Sequence, residues 1–240
     1  MQDSGMPGAG PHDPQSPPCD PKQKSPRFGA GQDPAKRDQI LDGAGRVFSR
    51  MGFDAAGMAD ITREAGVSKG TIYVYFEGKD DLFEALVDRE RQRLFRSVIG
   101  SLDGPGTMEE RLRAYAFTLT TALCSNEVIQ AHRIIIGISS RKPSIGATFY
   151  ERGPRLGMAA LAGFFESQIV AGRLRSCDTA RAAQIFVELC LSGLFRQRLL
   201  AYLPEPPTKA QVEANVEAAI EVFGAAYFAA QPDTWGQVRA

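Results

Sequence analysis

Between Met58 and Phe76 the chain fits two short helical stretches around the turn Ala65-Gly66-Val67-Ser68. The first runs to about Ala65 and breaks at Gly66. The second resumes near Lys69, capped by Ser68, for less than two turns. Two short helices joined by a tight glycine-containing turn can insert the second helix into the major groove of DNA. Ile61, Ala65, Val67 and Ile72 supply inward contacts, which frees an outer face of Lys69, Gly70, Thr71, Tyr73, Val74 and Tyr75. The hydroxyls of Thr71, Tyr73 and Tyr75 suit phosphate oxygens, contacts that position a protein without reading sequence. Lys69 and Gly70, at the exposed helix tip, suit base edges, where lysine donates to guanine acceptors. For an isolated turn of this kind, a small hairpin whose tyrosines merely pack is the competing explanation.

The flanking pattern is helical. Ile40, Ala44, Val47, Phe48 and Met51 recur at three and four residues from Lys36 onward, giving one apolar stripe, and Gly52 can take a left-handed conformation so that Phe53 folds back on the last turn. A fourth helix starts at Lys79, where Asp80 and Asp81 complement the helix dipole, and carries Leu82, Phe83, Leu86, Val87, Leu94 and Phe95 toward Gly100. Further helices are expected over 107–124, 126–141, 143–172, 178–202 and 208–230, with a fresh start within the third of these at Gly153-Pro154 and a Thr208/Gln211 capping box on the last. No convincing alternating strand is found, so the fold class is all-α. Residues 1–35 hold eight of the fifteen prolines and five glycines, with Phe28 the only aromatic, and are expected to form a disordered tail. Lys22, Lys24 and Arg27 could touch phosphates from that tail, or the tail is a solvated extension with no role.

The run GVSKGTIYVYFEGKDDL, residues 66–82, resembles the signature of the TetR family of one-component regulators. The likeness extends from residue 36 to about residue 90, through RDQILDGAGRVFSRMGFDAAGMADITREA, and Val128–Leu200 is similar to one subgroup's regulatory domain. The resemblance implies that Thr71, Tyr73, Tyr75 and Lys79 hold phosphates, that Lys69 and Gly70 face bases, and that Thr62 and Ser68 lie at the DNA surface. Two positions depart from the family pattern. Gly57 stands where threonine or serine usually caps the second helix, and Gly78 where serine or asparagine often precedes the lysine. Glycine is a tolerable cap, so each should cost only a few tenths of a kcal/mol, on the order of 0.3. The expected organisation is then a tail over 1–35, a helix-turn-helix DNA-binding domain over 36–80 and a regulatory, ligand-binding and dimerisation domain over 81–232.

Composition narrows the alternatives. Lys and Arg number 28, equal to Asp and Glu, and residues 36–79 hold seven basic and six acidic side chains, so any DNA contact depends on where charges sit rather than on net charge. Cys19, Cys124, Cys177 and Cys190 are irregularly spaced, with only His12 and His132 to join them, so neither a metal site nor a disulfide framework is expected, and no cofactor. No run of eighteen apolar residues and no apolar leader is found, which points to a cytoplasmic protein without membrane contact. The chain also lacks a Gly-rich phosphate loop, a nucleophile elbow and metal-ligand spacing, so an enzyme is not expected.

The last helix carries two apolar stripes: Val212, Val216, Ala219, Ile220, Phe223 and Tyr227 on one side, and Ala214, Ala218, Val222, Ala225 and Ala229 on another. A helix at the surface of a monomer needs only one. Its neighbour has a wide apolar face, so Phe186, Leu194, Phe195, Ala218, Val222 and Ala225 are expected to join two copies in a four-helix bundle, unless both helices are simply central in one core. Phe117, Thr121, Cys124, His132, Phe149 and Phe165 are candidates for a small-molecule pocket, although aromatics at helical spacing are usually core. The expected function is a homodimeric repressor that leaves a palindromic operator when a largely apolar effector binds. The rivals are an activator or ligand-independent regulator, and, further off, a non-specific architectural DNA binder.

Overall fold

The computed structural model describes residues 29 and 31–229. Residues 1–28 and 30 of the expected tail, with Lys22, Lys24 and Arg27, and the end of the expected regulatory segment lie outside the described residues, whereas Pro34 and Ala35 of that expected tail are helical. Among the described residues eleven α-helices follow in order: α1 Pro34–Ala55, α2 Met58–Ala65, α3 Lys69–Tyr75, α4 Lys79–Gly100, α5 Met108–Leu123, α6 Asn126–Ser139, α7 Pro143–Arg152, α8 Pro154–Val170, α9 Thr179–Leu191, α10 Leu194–Leu199 and α11 Lys209–Tyr227. Among the described residues no strand forms, and Leu174 and Phe228 make an isolated antiparallel bridge. The fold is all-α, with a helix-turn-helix module ahead of a larger helical body.

Local chemistry sets the helix starts. Asp33 accepts from the Ala35 and Lys36 amides at 2.9 and 3.3 Å, so α1 begins at Pro34, ahead of the expected Lys36. Thr107 and Glu110 form a capping box at α5, as Thr208 and Gln211 do at α11. Gly52 has positive φ (75°) but an extended ψ (175°), so it kinks the chain within α1 rather than closing a left-handed stop. Phe53 does fold back: its ring stacks on Phe48 with centroids 5.7 Å apart.

Two expected helices prove to be interrupted. The stretch 143–172 divides at Gly153-Pro154 into α7 and α8, the restart that proline favours. The stretch 178–202, expected as one helix, breaks at Ser192-Gly193, where Gly193 has φ 76°. The break, and the end of α10 after it, free carbonyls that other helices satisfy. Thr120 Oγ1 and Asn215 Nδ2 donate to the Cys190 carbonyl at 2.8 and 2.6 Å, and Arg133 donates to the Arg198 and Leu199 carbonyls at 2.8 and 3.0 Å. The Arg198 guanidinium, buried without a carboxylate partner, donates to the Cys124 carbonyl, to the carbonyls of Leu203 and Pro204, and to Asn126 Oδ1.

Apolar side chains gather in two cores. One joins α1–α3 through Ile40, Val47, Phe48, Ile61, Ile72 and Phe76, and continues past residue 80 into Leu82, Phe83 and Leu86 of α4 and Ile135, Ile138 and Ile145 of α6 and α7. The other fills the body with Leu112, Tyr115, Leu161, Phe165, Phe186, Val216 and Phe223. α4 serves both, since Leu82 to Leu86 pack on the first and Leu94 and Val98 on the second. At 22 residues it is about 33 Å long.

A close helix approach lies in the module. A Cβ built on Gly43 would fall 2.7–2.8 Å from the Cβ, Cα and N of Ala65, whereas one on Gly45 would meet only Leu86 side-chain carbons at 3.7 Å and beyond. Backbone cannot yield as a side-chain tip can. Gly43→Ala should therefore destabilise the fold by roughly 1–3 kcal/mol through overpacking, while Gly45→Ala should be neutral or stabilising by up to about 1 kcal/mol. Urea unfolding of the two variants checks the contrast.

Candidate nucleic-acid interface

The turn that directs α3 is built from backbone. Gly66 takes the left-handed conformation (φ 65°, ψ 38°), its amide donates to the Arg63 carbonyl at 3.2 Å, and the Val67 amide donates to the Thr62 carbonyl at 3.2 Å. Gln39 on α1 donates from Nε2 to the Ala65 carbonyl at 2.7 Å, satisfying another carbonyl at the end of α2. At the other end of α2, Asp60 accepts from the Gly57 amide at 3.2 Å, so the carboxylate half of a capping box survives although glycine lacks the hydroxyl half.

Ser68 caps α3: its Oγ accepts from the Thr71 amide at 3.0 Å and lies 2.8 Å from Thr71 Oγ1. Ile72 and Phe76 are buried and anchor α3 to the module core. The opposite face carries Lys69 and Gly70, both exposed, with Tyr73 and Val74 at 48% and 53% exposure. Gly70 has room for a Cβ, the nearest atom being Ser68 Oγ at 3.8 Å, so intramolecular packing does not explain a glycine there. Thr71 and Tyr75 are half-buried at the edges of this face, and Tyr75 packs against the module core. Thr62 is half-buried on α2 and donates to the Met58 carbonyl of its own helix at 2.7 Å.

Lys79 does not join that face. Its ammonium lies over the Phe53 ring, 4.7 Å from the centroid, and donates to the carbonyls of Phe53, Asp54 and Ala56 at 2.8, 3.2 and 3.0 Å. All three ammonium donors are thus engaged by the end of α1, which makes the side chain a tie between α1 and α4 rather than a free phosphate ligand. Arg46 and Arg50 are similarly engaged: both donate to Glu64, and those hydrogen bonds, Arg46 foremost, hold the Glu64 carboxyl below its ordinary range. Arg89 on α4 pairs with Asp38 and Asp42 on α1 at 3.3 and 2.7 Å.

Beside Lys79 lies a cleft of about 630 Å³ between the module and the α6–α7 turn, lined by Phe53, Asp54, Asp80, Ile138, Arg141 and Lys142 among others. Arg141 bonds Asp54 at 2.8 Å and Lys142 bonds Asp80, so this turn grips the module on both sides of the cleft. Sequence offered no sign of either pair, because the partners are far apart in the chain.

The six expected pocket residues do not converge. Thr121 is exposed, while its neighbour Thr120 is the buried one; Cys124 and Phe165 are wholly buried, and Phe165 packs on Phe186 and Phe223 in the body core. Burial pushes the Cys124 thiol up to about 11. Phe117 packs half-buried against the same core. His132 and Phe149 do meet: the imidazole sits edge-on to Phe149 and Phe195, 5.2 Å from each, and its Nδ1 lies 2.8 Å from the Val128 carbonyl. Phe149 also lines a second cavity, of about 30 Å³, with Phe83, Ile135 and Ile145. That is room for little more than a water molecule.

Among the residues expected at a dimer surface, Ala218, Val222 and Ala225 are exposed, and with Ala214 they form an unpartnered apolar stripe on α11. Leu194 and Phe195 are half-buried, the latter against His132. Phe186 is a correction: it is fully buried among Tyr115, Phe165 and Phe223 of its own chain, leaving no surface for a second copy. Among the described residues, no helix is long and apolar enough to cross a membrane, and no cluster of three or more His, Cys, Asp or Glu is suited to a metal.

Comparison with known proteins matches both parts of the chain. Residues 40–86 match the model for bacterial regulatory proteins of the tetR family, and residues 110–229 match that for the C-terminal domain of AefR-like transcriptional repressors. An HTH-type transcriptional repressor of Mycobacterium tuberculosis is 31% identical over 186 residues, 76% of this chain and 91% of its own. A TetR-family transcriptional regulator from Mesorhizobium loti superimposes with a TM-score of 0.74 at 27% identity, covering 81% of this chain and 97% of that one. The flavonoid-responsive regulator FrrA does so with a TM-score of 0.64 at 31% identity, covering 81% and 97%.

Lys79→Met keeps the alkyl contact with Phe53 but leaves three carbonyls without their donor. Thermal and urea unfolding should show a loss of roughly 1–2 kcal/mol without DNA present, whereas a lysine that only meets phosphate would leave stability unchanged. His132 supplies a pH test. Burial, first, pushes its pKa below the ordinary imidazole value, and the bond to Val128 only partly opposes this. The folded state then binds fewer protons than the unfolded chain, so its contribution is present above about pH 6.5 and is lost as pH falls below that value. His132→Phe should flatten that part of the melting-temperature profile.

Proposed function

The chain belongs to the TetR family of bacterial transcriptional regulators, and from that premise we propose that it is a homodimeric repressor whose two α3 helices read the halves of a palindromic operator. Its relatives are regulators of transcription and not enzymes. The observation that carries the proposal is the division of α3. Ile72, with the adjoining Phe76, is buried in the module core, and Lys69, Gly70, Tyr73 and Val74 are left exposed on the other face of the helix. In this reading Lys69 and Gly70 meet base edges, and Thr62, Ser68, Thr71, Tyr73 and Tyr75 meet phosphates around them. Lys79 contributes by fixing the module, since its ammonium is held by α1.

Residues 36–80 are assigned to DNA binding and 81–232 to regulation and dimerisation. Support for the dimer comes from the exposed stripe of Ala214, Ala218, Val222 and Ala225 on α11, with Ile185 exposed on the neighbouring α9. A small, largely apolar effector is proposed to act near His132 and Phe149. A neighbour described as flavonoid-responsive supports that class of ligand. The cavity at Phe149 is too small for such a ligand as it stands, so binding must move α7 or α4, and a ligand with different affinity for the two arrangements shifts the population between them. The grip of Arg141 and Lys142 on the module passes that shift to α3.

Selection from a random DNA pool should recover a palindrome, with half-sites about one helical turn apart or a multiple of it and discrimination of roughly 10³-fold or more over random duplex. Recovery of no preferred sequence would overturn the proposal. Placed at that site, the protein should lower run-off transcription; a rise would make it an activator. Ala218→Glu should convert the protein to a monomer by sedimentation and sharply weaken operator binding, because it sets like charges on the stripe where the two copies meet.

A further inference from the structure

The connection from α10 to α11 carries an exposed apolar tip. Leu200 is 74% and Tyr202 81% exposed, and among the described residues no aromatic side chain is more open to solvent than Tyr202. Ala201 between them has φ 60°, a left-handed conformation that a residue with a Cβ rarely adopts and that persists only where the surroundings impose it. Here they do. The amides of Leu200, Ala201 and Leu203 donate to the carbonyls of Arg196, Arg198 and Gln197, each at 3.1 Å. Arg133 of α6 holds the carbonyls of Arg198 and Leu199, and the buried Arg198 guanidinium holds those of Leu203 and Pro204. Pro204, Pro206 and Pro207 then restrict the run into Thr208, which caps α11. Two large apolar side chains are thus offered to solvent on a fixed backbone, which lowers the entropy such a tip loses when it docks.

The tip joins the helices whose outer faces carry exposed apolar residues, Ile185 on α9 and Ala214, Ala218, Val222 and Ala225 on α11. Asn215 ties these two helices together, its Nδ2 donating to the Cys190 carbonyl at 2.6 Å. Where two copies pair through those faces, the connection stands at the end of the helix bundle, beside the second copy. The faces themselves lack an anchor, being made of three alanines, a valine and an isoleucine. A stable dimer removes about 800 Å² of surface from each copy and takes most of its energy from a few large side chains, tyrosine prominent among them. One buried tyrosine supplies roughly 150–250 Å² of that area. Leu200 and Tyr202 provide the bulk that the small side chains of α11 do not.

We propose that Leu200 and Tyr202 form a dimerisation anchor that docks on a second copy of this chain, each copy giving its tip to the other. The inference rests on the homodimer reading of α9 and α11 and adds to it a contact outside those helices.

Sedimentation equilibrium of the full chain tests it. Tyr202→Ser should raise the dimer dissociation constant about 100-fold, since a two-fold dimer loses two anchors at about tenfold each, and Leu200→Ser/Tyr202→Ser should raise it further. Tyr202→Phe, which keeps the ring, should stay close to wild type. So should Tyr150→Ser, which removes a ring 50% exposed on α7. In the monomeric Ala218→Glu background, adding Leu200→Ser/Tyr202→Ser should leave the melting temperature unchanged, because neither side chain is buried in the single chain. A fall in that melting temperature would show the tip packing on its own chain and overturns the proposal. A dimer broken by Ala218→Glu but unmoved by Leu200→Ser/Tyr202→Ser overturns the anchor and leaves the α9–α11 interface standing. An equal loss in Tyr150→Ser overturns the assignment to the tip. A wild-type chain that sediments as a monomer overturns the homodimer reading, and the anchor with it.

Discussion

The backbone contact between α1 and α2 at Gly43 and Ala65 is the constraint on which the rest of the structure depends. A helix pair can come this close only where one partner lacks a Cβ, and the approach sets how far α2, and with it α3, stands from α1. The polar ties around the contact agree with that spacing: Gln39 reaches the Ala65 carbonyl, and Arg46 and Arg50 reach Glu64. As exposed ion pairs the latter contribute little to stability, but they help fix the orientation of α2 along α1. Gly66 then turns the chain so that α3 can bury Ile72 inward, which leaves Lys69, Gly70 and Tyr73 facing out.

The module is not closed by its own three helices. Its core takes Leu82, Phe83 and Leu86 from α4 and Ile135, Ile138 and Ile145 from α6 and α7, so movement of the body reaches it through direct packing. Polar links run along the same boundary: Lys79 to the end of α1, Arg89 to Asp38 and Asp42, Arg141 to Asp54 and Lys142 to Asp80. α4 spans both cores, which makes it a rigid connection between the body and the module that orients α3.

The module was legible in the sequence because its determinants are local. The Gly66 turn, the Ser68 cap and the three-and-four spacing of apolar residues each act within a few positions, and the two stripes of α11 are likewise a property of one helix. What escaped depends on distant partners. Gly43 carries no local signal of its role, which comes from Ala65 packed against it. Lys79 reads as a free cation until the end of α1 is found beneath its ammonium. The break at Ser192-Gly193 is tolerable because Thr120 and Asn215 satisfy the Cys190 carbonyl it frees. Phe186 lies on a broad apolar face, and periodicity does not say which part of such a face points inward. The pocket candidates scattered for the same reason, since Thr120 and Thr121 differ only in which side of α5 they occupy.

In the proposed function, α3 is held so that its N-terminal tip reads bases while its hydroxyls merely hold the backbone. Binding of wild type, Lys69→Ala and Tyr73→Phe to every single-base variant of the operator tests it most directly. Lys69→Ala should lose discrimination of about 1–3 kcal/mol at one symmetry-related pair of positions and keep it elsewhere, while Tyr73→Phe should weaken binding to all variants alike. A uniform loss for Lys69→Ala, with a position-specific loss for Tyr73→Phe, would contradict the account.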